Sequence, residues 1–317
     1  MAKIRRTKRT EGKKAKTASA LRKPPGKSAL KRTTGAVDVD LPTQKSEVAD
    51  DIRLFSLLIH GEKKIGKTSL FAQEEGALFL EWDPEQKALS IFQRQVPDWR
   101  HFLGYVKLIE EQVNAGTFDF RTVVVDGVDQ MYSACFAYTC KRLGIVHPHD
   151  EDDFGKSWRA IKTEFKEGFL RLMKLPGIAT RFICHSAWRE VKSRNGVKID
   201  KLVPTLTGQA EEALVGEVDL WGAYLYDGAE RVLVIKGDEM TGAGHRIDQW
   251  FCTPDGEMVQ EIPMGASAGE AYVNLNAAFN NEQTFVSLET RPRATKARAP
   301  KKGGAKTTDR RRKVKTK

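Results

Sequence analysis

Residues 52–71 read Ile-Arg-Leu-Phe-Ser-Leu-Leu-Ile-His-Gly-Glu-Lys-Lys-Ile-Gly-Lys-Thr-Ser-Leu-Phe, and this stretch decides the fold. Up to His60 it is a nearly unbroken apolar run. That predicts a strand over Ile52–His60, buried on both faces as in the centre of a parallel sheet. Gly61 to Thr68 then fits G-x-x-x-x-G-K-[ST], and a helix is predicted behind it, over Gly66–Glu75. A strand, a glycine loop and a helix in that order are what a phosphate cradle needs. The glycines let the backbone curl until successive N–H groups and the helix N-terminus face phosphate. Lys67 then reaches the β- and γ-phosphates, and the Thr68 hydroxyl ligates Mg²⁺. Gly61, Glu62, Lys63, Lys64, Ile65, Gly66, Lys67, Thr68 and Ser69 are therefore the expected nucleotide-binding residues, with ATP and Mg²⁺ as the expected cofactors. A second GKS, at Gly26-Lys27-Ser28, has Leu21 where the first glycine would stand and no apolar strand before it, so it reads as tail.

Working outward, Ala77–Glu81 reads as a second strand. Thr122–Asp126, sequence TVVVD, reads as a third, β-branched and ending on a carboxylate. A carboxylate at that place, beside a phosphate loop, points toward Mg²⁺ through water, so Thr68 and Asp126 are the expected metal residues. Asp129, three residues on, reads as a capping or supporting group. Hydrolysis also needs a group that orients or deprotonates water. Asp83 is the first candidate, with Glu81 and Glu85 as rivals. His185 closes a fourth strand, Arg181–His185, where it is read as a γ-phosphate sensor or as a satisfied strand-end histidine.

Helices are predicted over Trp99–Asn114, over Val128–Leu143 from apolar residues at three- and four-residue spacing, and over Phe154–Lys174, with Trp158, Ile161, Phe165 and Leu172 inward. A hairpin over 186–203 turns at Asn195-Gly196. A helix at Gln209–Val218 and strands at Trp221–Tyr226 and Val232–Lys236 complete the pattern. Alternation of this kind predicts an α/β fold, with a mainly parallel sheet flanked by helices.

The chain has 317 residues, 40% hydrophobic and 30% charged, and a net charge of +11. No apolar run approaches the ~18 residues of a membrane span, and the basic start lacks the apolar core of a secretory signal, so a cytoplasmic or nucleoid-associated protein is expected. The basicity is confined to the ends. Residues 1–35 and 291–317 each hold 13 Lys/Arg and one acid, which leaves 27 basic against 40 acidic residues between them. These ends carry almost no large apolar side chains and are expected to be disordered. The expected organisation is a basic tail and linker over 1–50, a P-loop ATPase domain over 51–285, and a second basic tail over 286–317. Cys135, Cys140, Cys184 and Cys252 have no metal-binding spacing and read as buried free thiols.

The segments LLIHGEKKIGKTSLF, ALFLEWDPEQKAL, FRTVVVDGVDQMY, DFGKSWRAIKTEF and RFICHSAW, in this order and spacing over roughly 52–250, resemble the phage-encoded RecA-like P-loop ATPases of AAA type, which include single-strand annealing proteins. The resemblance implies one RecA-like core, ATP binding, and a role in DNA recombination in the host cytoplasm. It gives Asp83 the place of the catalytic glutamate, one methylene shorter, and His185 the place of the phosphate sensor. It also puts Lys236 and Arg246 where some relatives carry basic residues that act across subunits of a homo-oligomer. Single-stranded DNA is the expected partner, held by the tails through counterion release and by the hairpin residues Arg189, Lys192, Arg194 and Lys198. Two other readings stand beside this one: a DNA-binding scaffold switched by nucleotide with little turnover, and a small-molecule kinase on a P-loop core.

Overall fold

The computed structural model describes residues 41–82, 86–150, 152–206 and 208–282. The two basic tails lie outside these, and so do the candidate acids Asp83 and Glu85. Residues 41–47 hold no helix or strand.

The first difference from expectation comes at the first strand. Ile52–Leu54 form one 3-10 turn, and β1 is only Leu57–Gly61. Asp51 halts the extended chain. Its carboxylate accepts the Arg53 amide at 2.8 Å, and the Phe55 amide closes back onto the Ile52 carbonyl at 3.2 Å. A short acidic side chain thus supplies a local acceptor that competes with a sheet ladder. After β1 come α1 (Lys67–Phe71), β2 (Ala77–Glu81), β3 (Phe92–Gln95), α2 (Trp99–Ala115), β4 (Thr122–Asp126), α3 (Val128–Leu143), α4 (Lys156–Met173) and β5 (Ala179–Lys192). The chain continues through β6 (Lys198–Pro204), α5 (Gly208–Val215), β7 (Leu220–Asp227), β8 (Glu230–Val234), β9 (Gly244–His245), β10 (Glu261–Gly265) and α6 (Ala268–Phe279).

The strands lie in the order β10-β8-β7-β1-β5-β4-β2-β3. From β7 to β3 all neighbours are parallel, and β8 and β10 add an antiparallel edge. This is the expected mainly parallel sheet between helices. One face, with Leu58, Leu80, Val123, Val125 and Phe182, packs under α2, α3, α4 and α5. The other, with Leu57, Ile59, Phe79, Val124 and Ile183, packs under α1 and α6. The strands buried on both faces are those whose sequences run apolar without alternation, Leu57–Gly61 and Thr122–Asp126.

The helix behind the glycine loop is regular only to Phe71, since Gln73 and Glu74 turn back to the Leu70 and Phe71 carbonyls and Gly76 leaves at φ 71°. The reason is Glu74. Its carboxylate dips to the base of the sheet, where it holds Arg181 at 2.7 Å and the Thr122 hydroxyl at 2.8 Å. Arg181 also donates to the Phe55 carbonyl at 2.6 Å, so this fully buried pair is hydrogen-bonded on both sides. Breaking such a pair costs about 3–5 kcal/mol. One side chain expected inside is not there: Trp158 is half-buried at the mouth of a cavity. Cys135, Cys140 and Cys184 are buried thiols as expected, and Cys252 is half-buried.

Candidate nucleotide site

All parallel strands present their carboxyl ends at one edge of the sheet, and the glycine loop leaves β1 there. Gly61 has no room for a side chain, since a Cβ would lie 2.4 Å from the Tyr224 carbonyl oxygen on β7. Gly66 stands at the N-cap of α1 with φ 105°, a conformation that a larger residue adopts only with strain. Between them, among the described residues, none of the amides of residues 62–66 donates a hydrogen bond, so a run of backbone donors is left for an anion. Lys67 is buried under this loop, and its Nζ donates to the carbonyls of Gly61 at 2.9 Å and Glu62 at 2.8 Å. Carbonyl oxygens are weaker partners for an ammonium than phosphate oxygens, so Lys67 is placed to exchange one for the other. Ser69 is the third residue of the helix, its carbonyl accepting from the Gln73 side-chain amide.

Thr68 Oγ1 donates to Asp126 Oδ2 at 2.5 Å. The bond spans two strand positions, because β5 lies between β1 and β4. Hydroxyl and carboxylate meet under the loop, where a divalent cation bound to phosphate would contact both. Glu81 is the register partner of Asp126 across β2 and β4 and is wholly buried. Directly paired residues of parallel strands point to one face, so the two carboxylates leave the sheet on the side of α1. Asp83, the preferred sequence candidate, lies outside the described residues.

His185 is the register partner of Gly61, which sets it between the loop and the Asp126 strand. Its Nδ1 is 3.4 Å from Asp129 Oδ2, and the same carboxylate oxygen accepts the Thr205 hydroxyl at 3.2 Å. Burial works to raise the Asp129 carboxyl, but the His185 contact and the Thr205 bond outweigh it and hold it below the usual carboxylate range. Asp129 is therefore the supporting group expected of it. Thr205 follows β6, so His185 and Thr205 are the two feet of the β5–β6 hairpin, which rises from this edge with Ser186 paired to Pro204 and Lys192 to Lys198.

The hairpin cations divide in two. Arg189 is bound to Glu211 and to the Leu206 carbonyl at 2.7 Å, and Lys198 pairs with Glu190 at 2.7 Å. Lys192 and Arg194 stand exposed at the tip. Arg246 is found at the opposite edge of the sheet, on Asp219 at 2.8 Å where β1 and β7 begin, and Lys236 is exposed. The sequence reading missed Arg231. From β8 it donates Nε to the Ile65 carbonyl at 2.8 Å and a further guanidinium N–H to the Ala266 carbonyl, which ties the loop to the antiparallel edge. No local motif marks it, because the contact joins residues 166 apart.

Residues 55–247, more than half of the chain, match the family model described as an AAA domain. The chain is also similar to the SPbeta prophage-derived uncharacterized protein YorG of Bacillus subtilis (strain 168), with 25% identity over 169 residues, which are 53% of this chain and 51% of that protein. It thus spans about half the length of that relative.

Proposed function

The chain belongs to the AAA domain family, and on that premise we propose that it is a Mg²⁺- and ATP-dependent DNA recombination protein of RecA-like type, acting in single-strand annealing. The observation that carries the nucleotide half is the Thr68–Asp126 hydrogen bond beneath a loop of open amides that Lys67 already underlies. The DNA half rests on the two basic tails and on Lys192 and Arg194 at the hairpin tip.

Mg²⁺, when bound, neutralises phosphate charge and polarises the terminal phosphoryl group. Thr68 Oγ1 and Asp126 are the oxygens this chain offers it. The amides of residues 62–66 hold phosphate oxygens, and Lys67 leaves its two carbonyls to add charge there. Glu81, buried beside Asp126, is the group we assign to orient and deprotonate the attacking water, with Asp83, two residues on in the sequence, as the alternative. His185, itself one foot of the hairpin, senses the terminal phosphate.

ATP turnover measured with and without single-stranded DNA tests this reading. Stimulation by DNA is expected, together with a loss of about 10²-fold or more in Glu81→Gln or Asp83→Asn. DNA binding with no stimulated turnover would favour the nucleotide-switched scaffold, and transfer of phosphate to a small acceptor the kinase. Lys67→Ala is expected to abolish nucleotide binding while nonspecific DNA binding persists. Retained ATP affinity in that variant contradicts the site.

A further inference from the structure

Behind the feet of the hairpin, where the chain passes from Thr205 into α5, a cavity of about 470 Å³ opens between α3, α4 and α5. Its lining is aromatic: Tyr132 and Phe136 from α3, His147 from the following loop, and Trp158 from α4, closed by Gly208 and Gln209 at the start of α5. The rings brace one another edge to face or tilted, with Phe136 to Trp158 at 5.9 Å, Phe136 to His147 at 5.4 Å and His147 to Trp158 at 5.7 Å and 80°. Such contacts hold the four rings in fixed positions around the opening and give the cavity an aromatic wall. Tyr132 belongs to the core beneath α3 and Phe136 packs against that core, whereas Trp158 and His147 are only half-buried at the mouth.

Three observations say what the guest is. The Gln209 amide oxygen is buried with no hydrogen-bond partner, and because the half-buried side chain lines the cavity, its rotation toward a ligand's N–H edge would remove that cost. His147 Nδ1 accepts from the His149 amide at 3.1 Å, which leaves Nε2 as the donor of the neutral ring. A flat guest that stacks on aromatic faces and has both donors and acceptors along its edge is a heteroaromatic base. The third is position. Asp129, Tyr132 and Phe136 lie on one face of α3 at three- and four-residue spacing, so the cavity residues follow Asp129 about 5 and 10 Å along the helix. Asp150 and Asp152, exposed in the neighbouring loop, repel a phosphate backbone on the α4 side, and the exposed cations Lys192 and Arg194 stand at the hairpin tip, about 20 Å from its feet. Asp153 in that loop is already engaged, accepting the Gly155, Lys156 and Ser157 amides at the start of α4.

We infer that the Tyr132–Phe136–His147–Trp158 cavity receives one unstacked nucleobase of a single strand that the hairpin guides, with Gln209 bonding its edge. The inference rests on the DNA reading above and adds to it a site for a base. Base stacking on aromatic side chains works for any base, so the site grips without selecting sequence.

The test uses the full chain and a thymidine oligonucleotide, compared with the same oligonucleotide carrying abasic positions, and with free dTMP. A 5-iododeoxyuridine oligonucleotide, photolysed on the wild-type protein, is expected to form adducts within 132–158. Phe136→Leu and Trp158→Leu are expected to weaken the base-bearing oligonucleotide about tenfold and leave the abasic one unchanged. Adducts confined to Trp188 or the tails, or equal losses for both oligonucleotides, overturn the cavity while leaving DNA binding intact. Saturation by dTMP with no oligonucleotide adduct overturns the strand in favour of a free nucleotide. Absence of any oligonucleotide binding removes the DNA reading itself and this site with it. The photolysis arm needs no variant, so a substitution that fails to fold does not protect the proposal.

Discussion

His60, the residue just before the phosphate loop, is wholly buried, with its ring stacked on Trp221 at 5.9 Å. Nε2 lies 2.8 Å from the Gly242 carbonyl and Nδ1 lies 2.8 Å from Ser186 Oγ. A carbonyl only accepts, so Nε2 carries the proton and Nδ1 accepts from the serine hydroxyl, which defines a neutral imidazole. Burial pushes its pKa down to about 4; the Lys67 charge adds to this, against the opposing Gly242 bond. Because the folded value lies below the unfolded one, near 6.5, the unfolded chain takes up the proton first as pH falls. The stability tied to neutral His60 is therefore complete above about pH 6.5 and is lost progressively down to about pH 4, roughly 3 kcal/mol in all. Urea midpoints of the wild-type protein should fall more steeply across that window than those of His60→Gln. Parallel curves would show that His60 does not titrate there. In the sequence His60 is only the last residue of an apolar run, and its partners lie 126 and 182 residues away. The phosphate loop is the opposite case. Its residues are contiguous and its spacing carries the chemistry, so it is legible without a structure. Arg231, which braces the same loop from β8, is not.

At the scale of elements, Gly168 in α4 shows where propensity and packing oppose each other. A mid-helix glycine costs about 1 kcal/mol relative to alanine, so Gly168→Ala looks stabilising by propensity alone. A Cβ there, however, would meet the Trp99 ring of α2 at 2.5 Å. That ring is fully buried and its Nε1 is held by Glu164 at 2.9 Å, so it cannot swing aside. Overpacking costs about 1–3 kcal/mol before any gain in propensity, so Gly168→Ala is expected to lower stability in a denaturant titration. The same substitution in a Trp99→Leu background, where the ring is gone, should raise it; a stabilising effect in the wild-type background would refute the steric account. The elements legible in the sequence are those with strong local signals: β2, β4 and α3 fall on the predicted residues because apolar runs end at a carboxylate or a glycine. β3 is an edge strand of sequence FQRQ, mostly exposed, with no apolar pattern to announce it. α6 went unpredicted although its capping box, Ser267 with Glu270, is written in the sequence. β5 runs past His185 to Lys192 because its second half pairs with β6 rather than with the central sheet, and only the Asn195-Gly196 turn reveals that locally.

The whole molecule carries its charge in two opposed parts. The ends hold 26 Lys/Arg and two acids, while the remainder holds 27 basic and 40 acidic residues. An acidic body repels phosphate at long range, so the contacts with DNA proposed for it are short and local, at Lys192 and Arg194. The basic ends have charge enough to displace counterions but no aromatic residues to stack on bases, so on the proposed DNA reading they would hold the backbone of any sequence. Salt separates the two contributions. Each phosphate neutralised on a single strand adds about 0.7 to the negative slope of log affinity against log salt, whereas stacking of a base adds almost nothing. Removing residues 1–35 and 291–317 together should therefore flatten the slope strongly, with the largest loss of affinity at low salt and a small one at high salt. ATP turnover without DNA should be unchanged in the same protein, which checks that the body remains folded. An unchanged slope would place the phosphate contacts on the body, where Lys192→Ala with Arg194→Ala must then remove them. A flattened slope that leaves a residual, salt-insensitive affinity for base-bearing strands is what a body with an aromatic cavity and a tail-borne grip requires.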